Sequence, residues 1–207
     1  MAMEMNVSNL KVTNREEILR TPRLSVKRTS FTDGVMVGSH TTIHSNASVA
    51  VIVKKENKIA LIKQFRTTTG KSYYELPAGL LESNESEVDA AVREVKEETG
   101  LKVSFCHSIV KGPSLLDPSK SDENFGVAIA KAQEMGSRNL DNLENIDSTI
   151  LWMDEDEVFE RLDRQQFEGE PFLNGIYMSG HSAYALLAYD RARSYEIKKE
   201  NKRTGYR

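Results

Sequence analysis

A single segment near the middle of the chain sets the strongest constraint on the fold. Residues 85–100, ESEVDAAVREVKEETG, carry small apolar side chains three and four positions apart, which predicts a helix with one buried stripe. The stripe consists of Val88, Ala91, Val92 and Val95. Asn84 is the predicted N-cap, Glu87 completes a capping box with it, and Gly100 is the predicted stop.

Another sector of the same helix is unusually acidic. Glu94, Glu97 and Glu98 stand at positions i, i+3 and i+4, so their carboxylates project close together. Each like-charge pair costs an isolated helix roughly 0.2–0.5 kcal/mol. Two interpretations are open, a solvated acidic face or a divalent-cation site, because hard cations such as Mg²⁺ prefer oxygen ligands. Composition alone favours the solvated face.

The segments around this helix alternate between strand and helix patterns. Apolar runs at 47–53 and 58–65 flank the polar tip KKEN and predict a β-hairpin. Further strands are predicted near 103–112, 125–133 and 148–153, and helices at 154–167 and 179–199. The acidic residues 154–157 suggest a capping box, and Ser179 is the predicted cap of the last helix. Strands mixed with few helices predict an α/β sandwich around one sheet.

The chain divides into three predicted parts. Residues 1–45 form an N-terminal strand arm with extended segments at 23–34 and 35–44. Residues 46–197 form the main domain, and 198–207 form a polar tail that we expect to fray.

Composition excludes several classes of function. The net charge of −3 over 207 residues argues against nucleic-acid binding, and the lack of a run of 18 apolar residues argues against a membrane span. Cys106 is the only cysteine, in a segment expected to be a buried strand, and the start of the chain carries no secretory signal pattern, so we expect a cytoplasmic protein. The four histidines share no metal-ligand spacing. Ser179 and Ser182 lie outside any nucleophile elbow.

The spacing of fixed residues around the helix carries a family resemblance. From Gly79 the chain reads glycine, five residues, Glu85, seven residues, Arg93-Glu94-Val95, one residue, Glu97-Glu98, one residue, Gly100-Leu101. This pattern resembles the Nudix box and matches it at every fixed position, an agreement expected by chance in on the order of one window in 10⁸. The resemblance implies an α/β/α sandwich with a mixed sheet and hydrolysis of a diphosphate linked to another moiety.

The resemblance also assigns roles within the box. It implies that Glu94, Glu97 and Glu98 bind Mg²⁺, for which Mn²⁺ is a possible substitute, with Glu97 and Glu98 in the catalytic set. It implies that four residues maintain the shape of the motif: Gly79, Glu85, Arg93 and Gly100. A structural ion pair is expected between the two charged residues. The metal would neutralise phosphate oxygens and acidify a water that attacks phosphorus.

Flanking motifs resemble one branch of the family, the ADP-ribose and nucleoside diphosphate sugar pyrophosphatases. The motifs are YYELPAGLLE, LIKQFR and a proline beyond the box, Pro118. The branch implies that the carbonyl of Ala78 completes the metal shell and that Arg66 contacts substrate phosphate as a planar fork. Glu75 is either a substrate contact or a scaffold hydrogen bond. Tyr73 or Tyr74 either stacks on a base or packs in the core.

The general base is the least determined assignment. The branch uses a glutamate from a later loop, which matches Glu144, with Asp147 as the rival. Ile146 stands where the branch often has a second metal-binding glutamate. Glu123 aligns with a glutamate in a loop that closes over substrate or metals, although this loop has Ser119 where the branch often has glycine. Glu123 and Glu144 are equally compatible with ordinary loop charge.

The activity implied by the resemblance is Mg²⁺-dependent cleavage of ADP-ribose, or a related nucleoside diphosphate sugar, to a nucleoside monophosphate such as AMP and a sugar phosphate such as ribose 5-phosphate. One alternative is a Nudix-fold sensor that binds the nucleotide without hydrolysis. Another is an enzyme for oxidised nucleotides or dinucleotide polyphosphates. The resemblance also implies a homodimer in which the N-terminal arm crosses a two-fold interface.

Overall fold

A computed structural model describes residues 9–110, 115, 117–135 and 149–204. Along these residues the chain forms ten strands and three α-helices, with a short π-helix of residues Arg164–Glu168 directly after the second α-helix. The elements are β1 (Lys11–Arg20), β2 (Leu24–Thr32), β3 (Val37–Ser45), β4 (Ser48–Lys55), β5 (Lys58–Arg66), β6 (Lys71–Glu75), β7 (Ala78–Leu80), α1 (Glu87–Thr99), β8 (Leu101–Ser108), β9 (Phe125–Met135), β10 (Thr149–Asp154), α2 (Glu155–Asp163) and α3 (Gly180–Thr204).

The chain separates into two compact units. Of the described residues, the first unit contains 9–47, 115 and 117–125, including β1, β2 and β3, and the second contains 48–110, 126–135 and 149–204. The prediction had placed 117–125 in the main domain. Its membership of the first unit depends on contacts with β3: the Ile43 N–H donates to the Lys120 carbonyl at 2.7 Å, and His44 Nδ1 lies 2.5 Å from Asp122 Oδ2. Such long-range pairing is not readable from local sequence.

The first unit is built on a three-stranded antiparallel sheet in the order β1-β2-β3. The turn between β2 and β3 is an Asp-Gly turn, in which Asp33 Oδ1 accepts the N–H groups of Val35 and Met36. Strand β1 was not predicted, because KVTNREEILR is polar on both faces and lacks a strand period. All ten of its residues are exposed, so the strand forms through hydrogen bonding to β2 and not through burial of its side chains.

The second unit is a mixed seven-stranded sheet with helices on both faces, which confirms the predicted α/β sandwich. The sheet runs β10-β5-β4-β9-β8, with β6 on β5 and β7 on β4. Strand β4 lies at its centre, and alternate side chains point to opposite faces. Val49, Val51 and Val53 pack into one core with α1. On the other face Lys54 bonds Glu155 of α2.

The ends of α1 correct part of the prediction. Ser86, not Asn84, is the N-cap: its backbone is extended and its hydroxyl accepts the Asp89 N–H at 3.1 Å. Asn84 instead takes a left-handed turn with φ of 65°. Gly100 ends the helix in the left-handed conformation, as predicted.

The buried stripe of α1 is also rotated from the predicted one. Val92 is 39% exposed, whereas Ala90, Ala91 and Val95 are fully buried. Glu98 is buried on the same side of the helix as Ala91 and Val95. The hydrophobic pattern therefore located the helix but misplaced its inner face by part of a turn.

The helices of the opposite layer depart from prediction at their ends. Asp154 precedes α2 without a side-chain capping bond, so the predicted capping box is wrong. Ser179 does cap α3, because its carbonyl accepts the Ala183 N–H and its hydroxyl accepts the Ser182 N–H at 3.5 Å. Helix α3 continues to Thr204, so residues 198–204 of the predicted tail are helical.

Strand β8 is less buried than expected. It is the last strand in the order of the sheet, its residues alternate between exposed and covered, and Cys106 is only half-buried. Of the helices in the described residues, none is long and apolar enough to cross a membrane.

Candidate metal and phosphate site

Glu98 is a buried carboxylate in the last turn of α1. Its residue is 8% exposed, and one oxygen accepts the backbone N–H of Ala78 at 3.0 Å. Burial raises the pKa of Glu98 to about 8; the Ala78 hydrogen bond opposes this rise and the negative charge of Glu94 adds to it. A buried acid with a pKa this high is typical of a functional position, since a surface carboxylate would stay near its ordinary value.

Glu94 reaches the same stretch of backbone from one turn earlier in α1. A Cβ added to Gly79 would lie 1.9 Å from Glu94 Oε1, so the carboxylate occupies the space that the missing side chain leaves. Its side chain is 12% exposed, and burial raises its pKa despite the neighbouring Arg93. Two carboxylates therefore converge on the Ala78-Gly79 backbone, which explains why the box needs glycine at 79.

Arg93 is the cation that holds the box together. Its guanidinium makes two bonds to Glu85, with Nε to Oε1 at 2.8 Å and Nη2 to Oε2 at 2.9 Å, and Nη2 also donates to the Leu80 carbonyl. These bonds to Glu85 raise the pKa of Arg93 and lower that of Glu85. The geometry is the structural ion pair expected from the sequence, closing the loop from β7 onto α1.

Arg93 also contacts the acidic sector. Its Nη1 lies 2.6 Å from Glu94 Oε1 and 3.4 Å from Glu97 Oε2, and Glu97 is the most exposed of the three carboxylates at 42%. In residues 9–110, 117–135 and 149–204, no three acidic, histidine or cysteine side chains are gathered closely enough to hold a metal as they stand. The three carboxylates lie on neighbouring turns of α1, at positions i, i+3 and i+4.

The donor set fits a hard divalent cation. It offers carboxylate oxygens and a backbone carbonyl in a half-buried setting, without soft sulfur or imidazole ligands. Burial is the main cause of the raised pKa of Glu98, and the charge of Glu94 adds to it; a cation between the two carboxylates would offset both. The solvated-face interpretation does not fit Glu94 and Glu98, since both side chains are largely withdrawn from water.

The linker between β6 and β7 presents Ala78 to α1, and three elements hold it. The Leu76 N–H donates to the Ser182 hydroxyl of α3 at 2.9 Å. The Pro77 carbonyl accepts the Val51 N–H of β4 at 2.8 Å. The Ala78 N–H donates to Glu98 of α1. The position of the Ala78 carbonyl is thus set by contacts with all three.

Arg66 extends the site along β5. Its Nε and Nη2 donate to the two oxygens of Glu75 at 3.0 and 2.5 Å, and its charge acts to lower the pKa of Glu98. Glu75 is 6% exposed, so it makes the scaffold contact that the sequence allowed as one of two interpretations. Tyr74 is buried against the ring of Phe172 at 5.8 Å, which settles that tyrosine as core.

Of the remaining predicted residues, two belong to the first unit and two lie outside the described residues. Pro118 belongs to the turn 117–120, and Glu123, whose N–H donates to the Ser121 hydroxyl at 3.1 Å, follows it; both are in the first unit. Glu144 and its rival Asp147 lie outside the described residues, so the general base stays a prediction. Ser182 was missed as a site-supporting residue, because nothing in the local pattern links it to a loop 106 positions earlier.

Comparison with known proteins gives the family. The profile described as NUDIX domain matches residues 43–174. This chain belongs to the Nudix family. The match includes the entire box and the hairpin before it, which confirms the resemblance drawn from the spacing of the box residues. Nudix hydrolases generally use divalent metal ions, consistent with the oxygen donors around Ala78.

The relatives of this Nudix protein carry mixed names. A Mycobacterium tuberculosis protein named ADP-ribose pyrophosphatase is 29% identical over 144 residues, 69% of each chain. A Bacillus methanolicus protein named methanol dehydrogenase activator is 29% identical over 138 residues, 66% of this chain and 74% of that one. A Methanocaldococcus jannaschii ADP-ribose pyrophosphatase is 44% identical, but over 59 residues, 28% of this chain and 34% of that one.

A solved structure supports the fold. The protein described as an ADP compounds hydrolase superposes with a TM-score of 0.68, over 96% of this chain and 97% of that chain, at 17% sequence identity. At that identity the likeness shows the Nudix architecture alone.

Proposed function

We propose that this Nudix protein hydrolyses the diphosphate bond of ADP-ribose or a closely related nucleoside diphosphate sugar in a Mg²⁺-dependent reaction. The products would be a nucleoside monophosphate and a sugar phosphate. The observation that carries the proposal is the convergence of Glu94 and Glu98 on the Ala78-Gly79 backbone, with Arg66 close enough to influence Glu98. Relatives named ADP-ribose pyrophosphatase support the choice of substrate class.

The roles of the residues follow from the chemistry of a diphosphate. Glu94 and Glu98, with Glu97 beside them and the Ala78 carbonyl opposite, would hold Mg²⁺, with Mn²⁺ as a substitute. When bound, the metal would neutralise phosphate oxygens and acidify a water. Arg66, held by Glu75, would contact a second phosphate as a planar donor. Glu144 is the proposed general base, with Asp147 and Glu123 as rivals.

Substitution of the buried ligand tests the proposal. We expect Glu98→Gln to fold and to lose at least about 10²-fold in turnover with Mg²⁺, because a metal ligand contributes several kcal/mol to stabilising transition-state charge. Phosphate release after phosphatase coupling, measured on a panel of ADP-ribose, nucleoside diphosphate sugars, oxidised nucleotides and dinucleotide polyphosphates, identifies the substrate. A purified protein that binds ADP-ribose but releases nothing from the panel would show a sensor instead.

We also propose that the first unit mediates a homodimer. Its sheet exposes large apolar side chains that a three-stranded sheet in water does not normally leave uncovered, among them Val12, Leu19, Val37 and Ile43. Light scattering at micromolar concentration tests this, and a monomer mass would refute it. The cytoplasmic location and the absence of a nucleic-acid partner stay predictions from composition.

A further inference from the structure

A serine of the last helix is tied to the linker that carries the proposed metal-site carbonyl. The Ser182 hydroxyl accepts the Leu76 N–H at 2.9 Å, across 106 positions of sequence. Ser182 is 3% exposed and Leu76 is 1% exposed, so this bond forms away from water. A buried N–H that loses its acceptor carries a desolvation penalty, which makes the pair a strong restraint on local backbone position.

Besides the bond from the Val51 N–H to the Pro77 carbonyl, this stretch of backbone has two hydrogen-bond donors of its own. Pro77 has no N–H, so Leu76 and Ala78 supply the two backbone donors of the segment between β6 and β7. One donates to Ser182 and the other to Glu98. The first bond comes from α3 on one face of the sheet and the second from α1 on the other, so together they restrain the backbone that leads into Ala78.

The start of α3 is itself held in register with β6. The Tyr74 N–H donates to the Tyr177 carbonyl, and the Ser179 N–H donates to the Tyr74 carbonyl, both at 3.0 Å. Gln165 clamps this segment by exchanging two bonds with the Met178 backbone. Ser182 therefore reaches Leu76 from a rigid base.

We infer that Ser182 is a positioning residue for the metal site: its hydroxyl fixes the Leu76–Ala78 linker so that the Ala78 carbonyl faces Glu94 and Glu98. The inference rests on the proposed function. It assigns the effect to a side chain that touches neither metal nor substrate and acts through the backbone. Outer residues of this kind commonly contribute about 10-fold or more to metal affinity.

The test measures metal binding directly. Mn²⁺ bound to the full-length protein is followed by the loss of the free-ion electron paramagnetic resonance signal, and kcat and KM are measured with Mg²⁺. We expect Ser182→Ala to raise the Mn²⁺ dissociation constant about 10-fold and to lower kcat, with a smaller change in the KM for substrate. Ser182→Thr keeps the hydroxyl and should restore both values to within about 2-fold.

Two control variants separate positioning from general loss of stability. Leu162→Ala and Val158→Ala each open a cavity in the buried side of α2 and leave the acceptor for Leu76 in place. Both should lower the melting temperature and keep Mn²⁺ affinity. If Ser182→Ala does not fold, Ser182→Cys replaces it, because the thiol has a similar volume and is only a weak acceptor. We expect the same rise in the Mn²⁺ dissociation constant and the same fall in kcat for this variant.

The possible results distinguish a failure of the role of Ser182 from a failure of the proposed metal site. If wild type binds Mn²⁺ through Glu98 and hydrolyses the substrate, but Ser182→Ala binds Mn²⁺ with wild-type affinity and only its melting temperature falls, Ser182 is structural and the inference is overturned. If wild type and Glu98→Gln bind Mn²⁺ equally weakly, the proposed metal site itself fails.

Discussion

Replacing Glu98 with glutamine should stabilise the metal-free protein at alkaline pH. The carboxyl is buried and its pKa is raised to about 8, whereas in the unfolded chain it titrates near 4.5. Between these values the folded protein retains a proton that the unfolded chain has released, so stability falls as pH rises through this window. Glutamine has the same shape, keeps an acceptor for the Ala78 N–H and carries no charge to bury.

The size of the effect follows from the shift. A change from 4.5 to about 8, at about 1.36 kcal/mol per pKa unit, sets an upper limit of about 5 kcal/mol at pH 8 and above. Water entry and rotation of the carboxylate toward solvent reduce this, and we expect about 2 kcal/mol. For a protein of this length that corresponds to a melting temperature about 4–8 °C higher for Glu98→Gln.

The assay is thermal unfolding of chelator-treated protein at pH 5 and pH 8. The melting temperature of Glu98→Gln should be higher than that of wild type at pH 8 and close to it at pH 5. Glu97→Gln, which removes a 42% exposed carboxylate, should melt within about 1 °C of wild type at both pH values. Mg²⁺ should then stabilise wild type at pH 8 and leave Glu98→Gln unchanged. A variant less stable than wild type at pH 8, or a difference independent of pH, would refute the reasoning.

Three further changes test other parts of the second unit. Gly79→Ala places a Cβ 1.9 Å from Glu94 Oε1, so we expect it to displace that carboxylate and lower activity more than about 10-fold while circular dichroism stays native. Arg93→Lys loses the two-bond fork to Glu85 and should cost about 2 kcal/mol in urea unfolding; a loss below about 0.5 kcal/mol would show that the ion pair does not close the loop. Burial acts to raise the pKa of Glu155, but the hydrogen bonds from Lys54 and Tyr189 outweigh the effect of burial, so the pKa is lowered. Stability from this group is present above about pH 4.5 and is lost as pH falls through the lowered value, so Glu155→Gln should flatten the acid limb of urea stability measured from pH 7 to 3.

The sequence by itself determined the family and the chemical character of the site. The box spacing is local, since helical geometry alone places Glu94, Glu97 and Glu98 on neighbouring turns. The central hairpin was equally readable, because β4 is buried on both faces and leaves a continuous apolar run. The Glu85–Arg93 pair followed from the box pattern, and the structure joins the two side chains through two hydrogen bonds.

Tertiary contacts decided what the pattern left open. The buried face of α1 includes Glu98 because the helix packs against both the sheet and the Ala78 linker. The spacing of hydrophobic residues cannot predict this, because the buried side chain at this position is a carboxylate. Strand β1 and the placement of 117–125 depend on pairing with distant strands.

Ser182 shows the same limit most clearly. A serine in the first turn of a helix reads as solvent-facing or capping, and only the folded chain brings its hydroxyl to Leu76. Local sequence determines which hydrogen-bonding groups a segment contains. The partner of each buried N–H depends on which element packs against that segment in the folded chain.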